Sequence, residues 1–415
     1  MFGFLKSMSR WGSQSTHELS IEPEPHRQAH WGIARLKVGL GSSLTLSRAP
    51  RLVVEGANGS ARSELALMSG DHDVLVGIHT HLLGNGPQSL ELTAMDGKKI
   101  IGRGNVTLNV TNSGKLADTV AISLRQHGVP FAFIGPCDSS YYPANDPKAT
   151  PWFDRPDAID EVNRRLREGK ISGEEAKTLH QFVDKGYVIL EELIDDETVD
   201  EVNREIDDAV AQGWQGYQYG SSQRLELLHL HYPAIRRLWL DPRHLRVLEL
   251  IFGVPARPCQ TLTYVFGSQQ DAHQDAVYLT PFPAGYMCGT WIALQDVVPN
   301  SGELIVYPGS HREPRAYLSN ADCSKVRDGN WAEFWEKVLP IWAAISRRYE
   351  PVVYRPKKGT VLIWHENLLH AGSARIDQSL ARRSIVVHSF AQGTIAYYDS
   401  SGMVGIAHDP SEEVH

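Results

Sequence analysis

Cysteine is scarce in this chain. Its four copies, Cys137, Cys259, Cys288 and Cys323, are too far apart to make a CxxC pair. That spacing excludes a disulfide-stapled scaffold and a zinc ribbon. Long apolar runs are missing as well, and none reaches the roughly 20 residues of a membrane-crossing helix. The opening stretch, MFGFLKSMSRWGSQSTHELS, has no continuous apolar region and does not read as a secretory signal, so a cytoplasmic address is expected. Excess positive charge is absent too. The chain carries 41 Lys and Arg against 49 Asp and Glu, a net charge of -8, which argues against nucleic acid or an anionic membrane as an obligatory partner. Neither an internal repeat nor a low-complexity tract is visible. What is present is ordinary globular text, 42% hydrophobic and 22% charged, over 415 residues, which makes two domains the default expectation.

Residues 1–28 are polar and mixed, and read as a flexible arm. From 29 to 137 the text turns to short alternating runs such as ARLKVGL, SLTLS, RLVVEG, DVLVGIHTHLL and TVAISLR, punctuated by Asn-Gly and Asp-Gly. Period-two alternation with such turns predicts an N-terminal antiparallel β-sandwich. Nothing in it decides whether it binds a partner, a carbohydrate or a second subunit. His79 and His81 share one side of a run there, with no carboxylate or cysteine beside them, and read as a partly exposed strand face. Residues 138–156, rich in Pro, Asp and aromatics, read as a linker. From 157 to 405 helical text comes first. SGEEAKTLHQFVDKG starts with the capping-box pair Ser172 and Glu175 and stops at Gly186. DDETVDEVNREIDDAVAQG puts Val199, Val202, Ile206 and Val210 on one stripe. Strands dominate from 258 onward.

The chemistry is concentrated in His273-Gln274-Asp275. On an extended strand, residues two apart point the same way, so this imidazole and this carboxylate can reach one metal ion together. A third ligand must come from elsewhere. Two His and one carboxylate on one face of an octahedron leave three positions open, the arrangement that non-haem iron oxygenases use. Residues 313–350 interrupt the core strands. In NWAEFWEKVLPIWAAISRRYE, Trp331, Trp335 and Trp342 fall on one face of a helix, which reads either as a lid over a bulky apolar or sugar-like substrate or as a helix packed on the core. Tyr278, Phe282 and Tyr286 follow the His-x-Asp pair and are expected at the pocket mouth.

The stretch HQDAVYLTPFPAGYMCGTWIALQDVVPNSGELIVYPGSH resembles the core signature of the phytanoyl-CoA dioxygenase (PhyH) family. It has HxD, a Trp-containing strand, Asn-Ser-Gly and Pro-Gly-Ser-His in order. KKGTVLIWHENLLHAGSARIDQSLARRSIVVHSFA resembles that family's closing segment. The likeness runs over residues 170–400, and the first 135 residues do not share it. It implies a mainly β fold with flanking helices, built on a double-stranded β-helix (jelly-roll, cupin-like) catalytic core. It implies His273, Asp275 and His370 as catalytic ligands of Fe(2+), with 2-oxoglutarate as co-substrate and dioxygen as oxidant. Arg382 would clamp the far carboxylate of 2-oxoglutarate, its planar fork suiting that group. Trp291 and Ser373 would line the same pocket. Arg383 stays open as the alternative clamp, and His365 competes with His370, which LLHAGS favours. His311 and His388 read as structural or supporting residues. The implied reaction hydroxylates an unactivated C–H bond of a small-molecule or lipid-like substrate while 2-oxoglutarate is decarboxylated to succinate. A carboxylate at Asp275 speaks for hydroxylation over halogenation. Desaturation, epoxidation or cyclisation would use the same ligands, and a metal-binding β-barrel serving only as a binding module is the non-enzymatic alternative.

Overall fold

The structure is a computed structural model that describes residues 17–23, 30–40, 50–56, 59, 61–68, 72–144, 146–220 and 223–405. Most of the expected arm and the expected strand SLTLS lie outside the described residues, while His17–Pro23 of that arm is extended. The chain divides into two units. One comprises Ala34–Thr111 and Pro130–Gly135 with the chain before Trp31; the other comprises Trp31–Ile33, Asn112–Val129 and all that follows Gly135. No helix among the described residues is long and apolar enough to cross a membrane.

The first unit is built from β1 (His17–Glu18), β2 (Ser20–Pro23), β3 (Ile33–Gly39), β4 (Pro50–Gly56), β5 (Arg62–Ala66), β6 (Asp73–His79), β7 (Gly86–Asp96), β8 (Lys99–Val110) and β9 (Ala132–Ile134). They form a five-stranded sheet, β1-β8-β7-β4-β5, and a four-stranded sheet, β2-β3-β6-β9. The β7–β8 hairpin turns at Asp96-Gly97, where the glycine takes φ 61°, a backbone geometry that asparagine, aspartate or glycine must supply in such a loop. Leu36, Val38, Leu52, Val54, Val76, Ile78, Leu90 and Leu92, from both sheets, share one buried apolar cluster. His79 is fully buried rather than on an exposed face, with Nδ1 2.7 Å from the Pro130 carbonyl. One expected strand is wrong. TVAISLR lies in α1 (Lys115–Gln126), because Leu116, Ala117, Val120 and Leu124 make a helical stripe once the preceding residues are counted, and Ile122 is left half exposed.

The second unit continues through α2 (Ala158–Arg167), α3 (Gly173–Lys185), β10 (Tyr187–Leu190), α4 (Asp196–Ala211), β11 (Leu225–Glu226), α5 (Pro233–Trp239) and α6 (Pro242–Phe252). Next come β12 (Ala256–Tyr264), β13 (Thr280–Phe282), β14 (Met287–Ala293), β15 (Leu304–Val306), α7 (Ala332–Lys337), α8 (Leu339–Ser346) and β16 (Val352–Tyr354). The last strands are β17 (Val361–His365), β18 (His370–Gly372), β19 (Ser384–Ala391), β20 (Ile395–Tyr398) and β21 (Met403–Val404). Ser172 and Glu175 make both halves of the capping box on α3, and Gly186 closes that helix at φ 79°.

Six strands pair antiparallel in the order β10-β17-β14-β19-β12-β11, and three more in the order β16-β15-β18. The hydrogen-bonded ladder does not close into a barrel; the strands form separate sheets. Period-two alternation assigns the faces of the larger one. Ile292, Val361, Ile363 and Ile385 pack with Leu179, Phe182, Val199, Val202, Ile206 and Leu248 of the flanking helices. Trp291, Leu362, Trp364 and Val386 point the other way and share a cluster with Leu304 and Val306 of the smaller sheet. The second unit is therefore mainly β with helices on one face, as expected.

The insertion differs from the expectation of one helix. Pro340 lacks an amide hydrogen and its ring crowds the preceding turn, so the segment breaks at Val338 into α7 and α8. The three tryptophans then part company. Trp342 is fully buried with Phe334, Val338 and Ile345, whereas Trp335 is 59% exposed. Replacing Trp342 with Ala should cost about 3–5 kcal/mol of stability, because it empties a closed apolar site. Trp335→Ala should change stability by no more than about 0.5 kcal/mol. Urea unfolding of both variants checks the contrast.

Candidate metal centre

His273 and His370 sit on separate segments of chain, and the backbone brings them together. The His273 amide donates to the His370 carbonyl at 3.0 Å and the His370 amide to the His273 carbonyl at 3.1 Å, a reciprocal antiparallel bridge. The two rings lie 4.2 Å apart between centroids. Each ring is oriented from behind, since Nδ1 of His273 meets the Asp271 carbonyl at 2.8 Å and Nδ1 of His370 meets the Leu368 carbonyl at 3.0 Å. Donation from Nδ1 leaves a lone pair on each Nε2, the form in which imidazole binds metal. After Gln274 the chain turns into a short 3-10 segment that starts at Asp275. Asp275 Oδ1 then lies 3.6 Å from Nε2 of His273 and 3.7 Å from Nε2 of His370. One donor atom from each of the three lies within 4.8 Å of the others, and all three side chains are buried. Two bonds of about 2.1 Å to one first-row cation span up to about 4.2 Å, which covers the 3.6 and 3.7 Å between Asp275 Oδ1 and the two imidazoles, so the donor set fits a metal.

The other oxygen of Asp275 is held by the protein. Trp364 Nε1 donates to Oδ2 at 2.8 Å, and His388 Nε2 lies 3.5 Å from it. Trp364 reaches this position by lying across Gly289 on the neighbouring strand. A Cβ at Gly289 would stand 2.3 Å from the indole, so only glycine leaves the room. Burial alone would raise the Asp275 carboxyl, yet His370, His273 and His388 outweigh it and hold it well below the usual carboxylate range. Burial and neighbouring His273 push His370 down to about 4, so its imidazole is neutral at ordinary pH. Gln274 fastens the pair from outside. Its Oε1 accepts from Trp342 Nε1 at 3.0 Å and from the Ala316 amide at 3.1 Å, and its Nε2 donates to the Pro314 carbonyl at 3.2 Å.

The three groups open onto a cavity of about 570 Å3 that also contains Trp291 and Arg382. Arg382 is 2% exposed. Its Nη1 donates to Ser384 Oγ at 2.9 Å, its Nε has no hydrogen-bond partner, and among the described residues no carboxylate pairs with it. Burial therefore lowers the guanidinium to about 10. A buried, under-satisfied cation is a site for an anion. Arg383 points elsewhere and pairs with Asp207 on α4.

Several expected residues stand apart from the cavity. Ser373 is turned away, its hydroxyl donating to Glu303 at 3.0 Å. His365 faces the opposite side of β17 from Trp364, by strand alternation, and lies 3.3 Å from Asp154 and near His311. Phe282 stacks on Tyr142 and Tyr286 packs on Phe153, so of the three aromatic residues expected at the mouth only Tyr278 lines the cavity. The lining also includes His388, expected as a packed or supporting residue, and Tyr264 and Trp364, whose part in the site was not legible from spacing.

Two imidazoles and one carboxylate converging beside a buried guanidinium, between the sheets of an antiparallel core, define a candidate mononuclear metal centre of the two-His, one-carboxylate class. Residues 182–384 match the family model for phytanoyl-CoA dioxygenase (PhyH). Phytanoyl-CoA dioxygenase domain-containing protein 1 of Mus musculus is 27% identical over 174 residues, 40% of this chain. Its counterpart in Danio rerio is 30% identical over 91 residues, 21% of this chain. The matched stretches span only 57% and 31% of those two proteins. Among solved structures, the non-heme alpha ketoglutarate dependent carbocyclase SnoK from nogalamycin biosynthesis overlaps with a TM-score of 0.43 at 19% identity, covering 56% of this chain and 88% of its own. EctD from S. alaskensis with 2-oxoglutarate and 5-hydroxyectoine overlaps with a TM-score of 0.40 at 20% identity, covering 53% and 76%. Overlaps this loose carry no weight for the chemistry of this chain.

Trp364→Phe keeps a ring over Gly289 and removes only the donor to Asp275. It should weaken divalent-metal binding about 10-fold or more, read by calorimetry with Co(II). Acid should destabilise the metal-free protein. His370 (about 4) and His311 (about 3) are held below the ordinary histidine value, so the unfolded chain takes up protons first. Stability is then full above pH ~6.5 and falls as pH drops toward 4. The melting temperature should be lower at pH 5 than at pH 7.5, and His311→Gln should narrow the gap.

Proposed function

We propose that the second unit is an Fe(II)- and 2-oxoglutarate-dependent oxygenase that hydroxylates an unactivated C–H bond of a small molecule, on a core that is the open form of a double-stranded β-helix. The observation that carries this reading is the pairing, in one cavity, of a three-donor metal site with a buried guanidinium that has no carboxylate of its own. When bound, iron and 2-oxoglutarate would supply activated dioxygen while 2-oxoglutarate is converted to succinate and carbon dioxide.

The residues of the chain divide the work. His273, His370 and Asp275 Oδ1 would hold the metal, and all three groups line the cavity. Trp364 and His388 hold Asp275 Oδ2, so that Oδ1 is the oxygen presented. Arg382, steadied by Ser384, receives the distal carboxylate of 2-oxoglutarate, and Trp291 and Tyr264 wall that end of the cavity and keep water from it. Burial strengthens the Arg382 pairing because little solvent competes for the ions. Every residue of the lining belongs to the second unit. The N-terminal unit, whose two sheets around one cluster we take as a sandwich, is then free to serve as a module for a partner, a carbohydrate or a second subunit.

Purified protein with ferrous iron should convert 2-oxoglutarate to succinate. His273→Ala and Asp275→Ala should each abolish this while leaving the fold intact by circular dichroism. Arg382→Ala should raise the KM for 2-oxoglutarate by roughly 30-fold or more, since it removes the buried partner of a carboxylate. Arg383→Ala should leave it nearly unchanged, because that side chain makes a half-exposed pair with Asp207. Succinate formation undiminished in Asp275→Ala would overturn the ligand assignment.

A further inference from the structure

The two ends of the cavity differ in chemistry. Leu262, Leu304 and Val386 are gathered at the Arg382 end, in or against the cluster that holds Trp291 and Tyr264. The other end, beyond the metal ligands, has an aromatic wall made by Tyr278, Trp331 and Trp335. Tyr278 and Trp331 lie 5.9 Å apart between ring centroids, and both pack on the buried Phe334, at 5.7 and 5.3 Å. Trp335 extends this wall outward and is 59% exposed although it borders the cavity. The break at Pro340 produces this arrangement, because it lets α8 anchor in the core while α7 carries its tryptophans to the rim.

Amide side chains also belong to the lining: Gln223, Gln260 and Gln270. Gln223 Nε2 donates to the Ser268 carbonyl at 2.8 Å, and Gln260 Nε2 lies 3.3 Å from His388 Nδ1, so each keeps its carbonyl oxygen as an acceptor. Charge is balanced here. Besides Arg382, Arg224 is the one Lys or Arg among the described lining residues, and Glu226 pairs with it at 2.8 Å. Leu279 and Ala371 are the other aliphatic residues among the described lining.

A fatty acyl chain needs a long apolar channel, and a nucleotide-linked carrier needs unpaired cations for its phosphates. The described residues lining this cavity provide neither. Flat aromatic rings beside amides with spare acceptors suit a compound that has apolar C–H faces and a rim of hydroxyls. We propose that the substrate is an uncharged polyhydroxylated ring, a sugar or a glycosylated small molecule, which stacks on Trp331 and Trp335 and gives its hydroxyls to Gln223, Gln260 and Gln270. This rests on the oxygenase reading above and extends it to the substrate class.

The test uses the full-length protein loaded with Co(II) and 2-oxoglutarate. Saturation-transfer NMR is run with a panel of methyl glycosides and, in parallel, with palmitoyl-carnitine and palmitoyl-CoA. Binding of 2-oxoglutarate is measured on the same sample by calorimetry. The expected result is saturation of ring protons in at least one glycoside, with affinity about fivefold weaker in each of Trp331→Ala and Trp335→Ala, the loss of one stacking contact. Gln270→Leu should weaken the same glycoside while leaving 2-oxoglutarate binding unchanged. If 2-oxoglutarate binds but no glycoside is saturated, or if the acyl probes are saturated in their place, the substrate class is wrong and the oxygenase reading stands. Saturation that persists unchanged in the Trp331→Ala, Trp335→Ala double variant also overturns the assignment. If neither metal nor 2-oxoglutarate binds, the oxygenase reading itself fails.

Discussion

The site depends first on two backbone hydrogen bonds. The reciprocal bridge between His273 and His370 sets the distance between two imidazoles that are far apart along the chain. A slip of one residue in that pairing would turn one ring to the opposite face. The bridge is isolated rather than part of a long ladder, so its register must be fixed by what flanks it. On one side β18 pairs with β15, placing His370 opposite Val306. On the other side Gln274 ties the His273 segment to the insertion through three hydrogen bonds. The insertion is thus a brace for the ligand pair at its buried end and a rim of the cavity at its exposed end.

Electrostatics follow from that geometry. Burying a carboxylate is costly, and three imidazoles with one indole N–H compensate for Asp275. Those groups do not compensate for Arg382, across the same cavity. A protein keeps a buried guanidinium without a carboxylate only where something else is to complete it, because such a group lowers stability until it is matched. The two halves of the cavity thus carry complementary deficits: three donors for a cation, and one cation for an anion.

The core sheet keeps these functions apart by alternation. In Val361-Leu362-Ile363-Trp364-His365, the odd-numbered residues face the helices and the even-numbered ones face the cavity. One strand therefore supplies both the support of Asp275, through Trp364, and a buried polar group on the other face, through His365. Gly289 on the adjacent strand makes the first possible by offering no side chain where the indole must lie.

The linear order of residues marked His273, Asp275 and His370, which the fold brings together, and was enough for the capped helix α3 and the apolar stripe of α4, because each depends on near neighbours or on a motif with its own spacing. It also marked Arg382 while leaving Arg383 open. It misled at Thr119–Arg125, where a short window imitated a strand, at Ser373, and at the tryptophans, where a helical wheel assumed a continuity that Pro340 breaks. Folding alone decided which arginine is buried, which face His365 takes, and that Trp364 and Ser384 stand behind the site. The reason is physical: ligand type and local period are properties of a segment, whereas burial, pairing and orientation arise only when distant segments pack and exclude water from one another.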